Sequence, residues 1–218
     1  MADARSPLLQ ILRSDGTRAG TRSARSARDG GSEAHCELCD VPIDDDHRHL
    51  VDLTKRSLMC VCRPCGLLFA SDGAGGKRFR AVPERYARLD ADVAAPWDLM
   101  DIPVGIAFFF INSSLGRVAA LYPSPAGATE SLLPLEAWPD LVARQPLLAT
   151  LAPDVEALMI RRMRSVHESF IVPIDACYEL VGLVRRHWQG FDGGDDAAHA
   201  IDAFFDRMRQ RSEAPCPI

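Results

Sequence analysis

The residues of this chain best suited to chemistry are four cysteines in two C-x-x-C pairs, Cys36-Glu-Leu-Cys39 and Cys62-Arg-Pro-Cys65-Gly66, with 22 residues between them. Two thiolates on one tight turn reach a common ion, and the backbone N–H groups of that turn donate to the sulfurs. A second turn brought alongside completes a tetrahedral four-sulfur site of the kind that holds structural Zn2+. Four protein ligands leave no position for water, so zinc held this way braces a fold instead of activating a substrate. Gly66 follows the second pair, where a left-handed backbone is expected.

Three neighbours bear on the ligand set. Cys60 stands two residues before Cys62 and on a strand shares its face. It is expected to be a small buried side chain, with service as a substitute or additional ligand as the rival reading. His47 and His49 are expected to be surface or hairpin histidines, or else a further ligand or supporting contact. Four thiolates also suit iron, so a rubredoxin-like electron-transfer centre is the alternative to zinc. Rubredoxin iron is packed by several aromatic rings, and only Phe69 lies near these cysteines in sequence. The run from Cys36 through Asp46-His47 to Asp52 also resembles a ββα nuclease knuckle, but no Asn and His follow to complete that pattern.

Weaker candidates lie further along. Gly73-Ala-Gly-Gly-Lys77 lacks the Ser or Thr after the lysine that a phosphate loop needs, and a linker is expected there. Tyr122 to Ser131 is a polar Pro/Gly loop whose Ser124, Thr129, Glu130 and Ser131 could line a cleft, and an enzyme site there is a second alternative function. No acid or histidine is assignable to either serine, so no catalytic residue is named. Asp175 is expected to cap a helix, and Cys177 in its first turn to be a buried structural thiol. Phe108, Phe109 and Phe110 alternate across a strand, so at least one is expected to face outward or into a helix layer.

These groups imply an α+β fold, with an N-terminal zinc-ribbon-like hairpin followed by an antiparallel sheet covered by helices. Residues 1–34 are rich in Arg, Ser, Ala and Gly, with almost no apolar period from Ser14 to Gly31, and read as a disordered arm. Residues 35–70 form the metal-binding module, its hairpin running His49–Leu53 and Leu58–Cys62. Residues 71–101 are a linker and connecting segment with a short helical piece near Glu84–Leu89. Residues 102–212 form the α+β domain. It has hairpins Val104–Ile111/Gly116–Tyr122 and Val155–Met163/Ser169–Val172, the second closed around Arg164–Glu168. Helices are expected over Pro134–Arg144, Asp175–Trp188 and from Asp195 or Asp196 to about Arg211.

Composition sets outer bounds. The chain has 218 residues, of which 47% are apolar and 25% charged, with a formal charge of −5. A net acidic chain is not built mainly to hold a nucleic-acid backbone. No apolar run approaches the ~20 residues of a membrane span. Seven cysteines at metal-binding spacing and no export signal point to a reducing, cytoplasmic setting.

The segments Cys36-Glu-Leu-Cys39, His47-Arg-His49-Leu-Val-Asp-Leu53, Cys60-Val-Cys62-Arg-Pro-Cys65, Ile102–Phe110, Tyr122–Ser131, Pro173–Leu180 and Trp188–Gly194 together resemble an uncharacterised, mostly actinobacterial family. Its genes often lie beside those of uptake [NiFe]-hydrogenases. The resemblance covers roughly residues 35–210. It implies a neighbourhood and not a reaction: a zinc-binding accessory protein whose partner is a hydrogenase subunit or maturation factor.

Overall fold

The computed structural model describes residues 34–70, 77–89, 105–131, 138–163, 166–190 and 193–212. The expected arm up to residue 33, the glycine-rich segment at 73–76, the start of the helix expected from Pro134, the turn at 164–165 and Cys216 lie outside the described residues. The chain divides into two compact units, with the boundary between Ala81 and Val82. The fold is α+β, with antiparallel sheets, helices and the cysteine-bearing hairpin near the N-terminus.

In the first unit, β1 (Arg48–Asp52) and β2 (Ser57–Val61) pair antiparallel, from Arg48 opposite Val61 to Asp52 opposite Ser57. β3 (Phe79–Ala81) adds to the other edge of β1, giving the order β2-β1-β3. Phe79–Ala81 was expected to be connecting chain. Three residues are too few to show a period of two, and only their pairing with β1 makes them a strand. A short helix, α1 (Arg63–Leu68), follows β2, with Pro64 in its first turn. Leu50 and Val61 pack with Cys36 and Cys65 into a small core, against which Ile43, Met59, Phe69 and Phe79 lie partly buried.

The β1–β2 turn is held by Asp52, which is fully buried. Its Oδ1 accepts from the N–H groups of Thr54 and Lys55, both at 3.0 Å, the Asx-turn arrangement. Its Oδ2 accepts from Arg78 Nη2 at 2.6 Å and Nε at 3.1 Å. The hydrogen-bonded Arg78 guanidinium holds the Asp52 carboxyl below its usual range against the opposing effect of burial, and the Lys55 and Thr54 amides reinforce it. Because the folded value lies below the unfolded one, near 3.9, this carboxylate stabilises the unit above about pH 4. That contribution is lost as the pH falls through the depressed folded value. Asp52→Asn keeps an acceptor for the turn but loses the ion pair. It should cost about 1–3 kcal/mol at pH 7, and the gap from wild type should close on acidification below about pH 4. Paired thermal melts at pH 7 and pH 3 measure this, and an undiminished gap at pH 3 would contradict it.

The second unit is a six-stranded antiparallel sheet of β4 (Ala87–Arg88), β5 (Ile106–Asn112), β6 (Arg117–Ser124), β7 (Gly127–Glu130), β8 (Glu156–Met163) and β9 (Val166–Pro173), in the order β4-β9-β8-β5-β6-β7. Its helices are α2 (Trp138–Arg144), α3 (Ile174–His187) and α4 (Gly194–Arg211), with a 3-10 turn over Pro146–Thr150. Ala120, Phe109, Leu158, Ile171 and Ala87 form one row across five strands. This row lies under Leu141, Leu148 and Leu151 from α2 and the 3-10 turn. Leu121, Phe108, Met159 and Phe170 form the neighbouring row on the opposite face. There the Phe170 ring lies 6.2 Å from Phe205 of α4. Both faces are therefore covered, and Phe108, Phe109 and Phe110 are all buried. Phe109 faces the α2 layer, Phe108 and Phe110 face the opposite layer, and none is exposed. A sheet buried on both sides reads as an unbroken apolar run, and Ile106–Ile111 does so.

Four expectations change in this unit. The helical piece near Glu84–Leu89 is instead coil leading into β4, drawn extended by pairing with β9. β9 begins at Val166, so the β8–β9 connection is shorter than Arg164–Glu168. Pro173 and not Asp175 is the cap of α3; Asp175 lies inside the first turn and accepts from the Ala176 N–H at 2.8 Å. Gly193, in a left-handed conformation at φ 92°, is the cap of α4, placing Asp195 and Asp196 in its first turn. Acids there favour the helix dipole without capping it. Among the described residues, no helix is long and apolar enough to cross a membrane.

Candidate metal centre

Each knuckle is built by its own backbone. At the first, the Cys36 N–H donates to Val41 O and the Asp40 N–H to Cys36 O, both at 2.8 Å. Asp40 takes a left-handed conformation at φ 63°, which closes the turn after Cys39. At the second, Cys62 caps α1 and Gly66 N–H donates to Cys62 O at 2.9 Å. One helical turn thus sets Cys62 and Cys65 on a common side. Gly66 lies within this helix and is not left-handed, contrary to expectation. The need there is for space: a Cβ on Gly66 would stand 2.9 Å from Cβ of Arg48. The left-handed residue belongs to the first knuckle, where Asp40 supplies it.

A residue that spacing alone does not single out joins the two knuckles. The Glu37 N–H donates to Cys60 O at 2.9 Å, and Glu37 Oε1 accepts from the Cys60 N–H at 2.8 Å. β2 is the edge strand of its sheet, and Glu37 satisfies its outward-facing groups while drawing the first knuckle against the second. The signal was an acid inside C-x-x-C, which says nothing of its partner until the edge is known.

The structure brings the sulfurs of Cys36, Cys39, Cys62 and Cys65 within 4.8 Å of one another. Cys39 Sγ and Cys62 Sγ are 3.6 Å apart. Four sulfurs about 2.3 Å from a central zinc stand about 3.8 Å apart, so the cluster fits a tetrahedral ion. A disulfide requires about 2.05 Å, and each of these cysteines is a free thiol. Cys36 and Cys65 are buried, whereas Cys39 is exposed and Cys62 half-buried.

Electrostatics favours a cation here. Burial opposes ionisation of Cys36, but the N–H groups of Cys62, Cys39 and Leu38 outweigh it and bring the thiol down to about 6. For Cys39, the Val41 N–H favours the thiolate, yet the adjoining Cys36 sulfur leaves the thiol raised. Cys65 is pushed up to about 12 by the side chains of Cys39 and Cys62, then by burial. One thiolate forms readily and the last is suppressed by its neighbours. A divalent ion reverses that suppression because it replaces sulfur–sulfur repulsion with four attractions.

His47, His49 and Cys60 form a group of their own, with ligand atoms within 4.8 Å of one another. They are not placed among the four sulfurs. Cys62 has left the strand to cap α1, so the alternation that would have put Cys60 beside it no longer applies. Phe79 joins Phe69 near the four-cysteine core, their rings 5.1 Å apart and edge to face.

The weaker candidates resolve differently. Tyr122–Ser131 is not an open loop but the β6–β7 hairpin, turned at Pro125-Ala126 with Gly127 at φ 123°. Ser124 Oγ donates to Gly127 O at 2.8 Å, Thr129 Oγ1 donates to Ser124 Oγ at 3.2 Å, and Glu130 pairs with Arg117 at 2.9 Å. Those polar groups close the hairpin on itself. Cys177 is buried, and desolvation drives its thiol well above the usual value, as a structural cysteine requires.

A family model described as a family of unknown function (DUF5947) matches residues 35–212. The match begins at the first knuckle and ends after α4, so it spans both units. No curated protein and no solved structure gives a significant match.

Proposed function

The chain belongs to the DUF5947 family of unknown function, and from that premise we propose that it is a zinc-binding accessory protein, not an enzyme, acting in the cytoplasm through protein–protein contacts. Zinc at Cys36, Cys39, Cys62 and Cys65 fixes the knuckles, and the knuckles present a contact surface. The observation that carries this reading is the apolar exposure on both of them. Leu67 and Leu68, directly after the second knuckle, are 62% and 69% exposed, Leu38 inside the first is 38% exposed, and Val41 just after it is 44% exposed. Single exposed leucines are ordinary, but several framing one rigid metal site suit a docking face.

The partner we propose is a [NiFe]-hydrogenase subunit or a maturation factor, and the support for it is the resemblance carried by the sequence segments named above. Affinity capture from hydrogen-oxidising cells tests it. The full chain should retain such a component, and the double change Leu67→Ser with Leu68→Ser should lose it. Both side chains are exposed, so the change costs the fold little. Capture that recovers no hydrogenase subunit or maturation factor would remove the partner from the proposal.

The aromatic pair Phe69–Phe79 supports iron as a second reading, since ring packing accompanies thiolate-bound electron-transfer iron. Colour separates the two: a red protein that bleaches with dithionite holds iron, and a colourless one with stoichiometric zinc does not.

A further inference from the structure

The hairpin has a second face whose groups the four-sulfur site does not use. Along β1, Leu50 points to the four-cysteine core, so His49 points to the opposite face of the sheet. His49 stands directly opposite Cys60 of β2. Both backbone groups of Cys60 turn away from β1 to meet Glu37. His49 and Cys60 are therefore a non-hydrogen-bonded pair, the closer of the two antiparallel pairings, with side chains adjacent. The His47 ring lies edge-on to His49, 4.7 Å between centroids.

The decisive detail is at His47. Its Nδ1 is 2.7 Å from Asp44 O. A carbonyl only accepts, so Nδ1 carries the proton and the neutral ring presents a bare lone pair at Nε2. That Nε2 is buried and has no hydrogen-bond partner. A histidine whose Nδ1–H is tied to a backbone carbonyl while Nε2 stays open is arranged as metal-ligating histidines are. The ligand atoms of His47, His49 and Cys60 lie within 4.8 Å of one another. Asp44, Asp45 and Asp46 directly precede His47 in the chain and add negative charge near it.

We propose that His47, His49 and Cys60 form a second metal site, distinct from the four cysteines, that takes a divalent transition ion of zinc-like softness through two imidazoles and one thiolate. Two nitrogens and one sulfur suit zinc, cobalt and copper and do not suit calcium or magnesium. Three protein donors leave a coordination position open, so the ion exchanges readily and accepts an outside donor: water, a carboxylate or a side chain of a bound protein.

Cobalt titration of the metal-stripped full chain under reducing conditions, with zinc content measured in parallel, tests this. Two equivalents should bind. The tighter should show thiolate charge-transfer intensity for four sulfurs, and the weaker should add intensity for one sulfur with ligand-field bands at shorter wavelength. Cys60→Ser is close to isosteric. It should remove the one-sulfur band and weaken the second equivalent by at least about 100-fold, beyond the loss usual for an outer supporting group. His47→Ala and His49→Ala should weaken it comparably while the first equivalent stays. Wild-type protein that saturates at one equivalent with only the four-sulfur spectrum overturns the proposal whatever the variants do, as does a second equivalent that survives Cys60→Ser and both histidine changes. Failure of the four-sulfur site reads differently, because the four-sulfur spectrum is then missing and Cys39→Ser changes nothing.

Discussion

Cys65→Ser should abolish tight metal binding at the four-sulfur site and melt the β1–β2–β3 sheet at ordinary temperature. The reason is the size of the core that remains. Among the described residues of the first unit, four buried side chains form the core, Leu50, Val61, Cys36 and Cys65, and two of them are proposed ligands. A core of two aliphatic residues with a rim of half-buried ones does not offset the ordering of some forty residues. On the proposed reading the balance comes from the ion, since structural zinc supplies about 10–16 kcal/mol of apparent binding free energy at neutral pH. Without an ion, Cys65 also sits buried among sulfurs that resist its ionisation, so the cluster holds together poorly on its own. Hydrogen exchange of the full chain localises the effect. Amides of residues 48–61 should be protected in the zinc-loaded wild type and exchange at near-unfolded rates in Cys65→Ser, or in wild type treated with a strong chelator. A Cys65→Ser protein that still holds its ion and keeps those amides protected would show that Cys65 is not a ligand.

How much of this was legible depended on whether the signal was local. The knuckles were legible because a ligand pair three residues apart is a property of one turn, and the hairpin between them because its strands and polar turn are contiguous. Glu37 was not, since its role exists only once β2 is an edge and Cys60 faces outward. β3 and β4, of three and two residues, are strands because β1 and β9 offer them edges, a condition set by chain far away. The buried charges were hidden for the same reason. Arg161 and Glu168, paired across β8 and β9, look like surface residues in sequence. In the fold both are buried beneath α4, where Asp202 meets Arg161 and Arg209 meets both oxygens of Glu168 at 2.8 and 2.9 Å. Cys60 was misplaced by a correct rule carried one residue too far, because strand alternation stops where Cys62 starts a helix.

The α4 layer sets the second large expectation, that Phe205→Ala will cost the second unit about 3–5 kcal/mol. Phe205 is fully buried. Its ring meets Phe204 edge to face at 5.4 Å and lies 6.2 Å from Phe170 on the sheet, so truncation opens a cavity between helix and sheet and removes two aromatic pairings at once. A further consequence falls on Arg161, whose guanidinium sits 4.8 Å from the Phe205 ring centre. Arg161 Nε is already buried without a hydrogen-bond partner. Losing the ring face therefore leaves a buried cation that depends on Asp202 for compensation, and a buried charge that loses a partner costs more than an apolar contact alone. The two losses share one site, so they should be non-additive: in an Arg161→Met background, Phe205→Ala should cost less than in wild type by about 0.5–2 kcal/mol. Urea unfolding of the four proteins in this cycle, followed by far-ultraviolet circular dichroism, reads the coupling directly. A loss below about 1 kcal/mol for Phe205→Ala would mean that α4 does not seal the sheet. Strict additivity would mean that the ring and the guanidinium do not depend on each other.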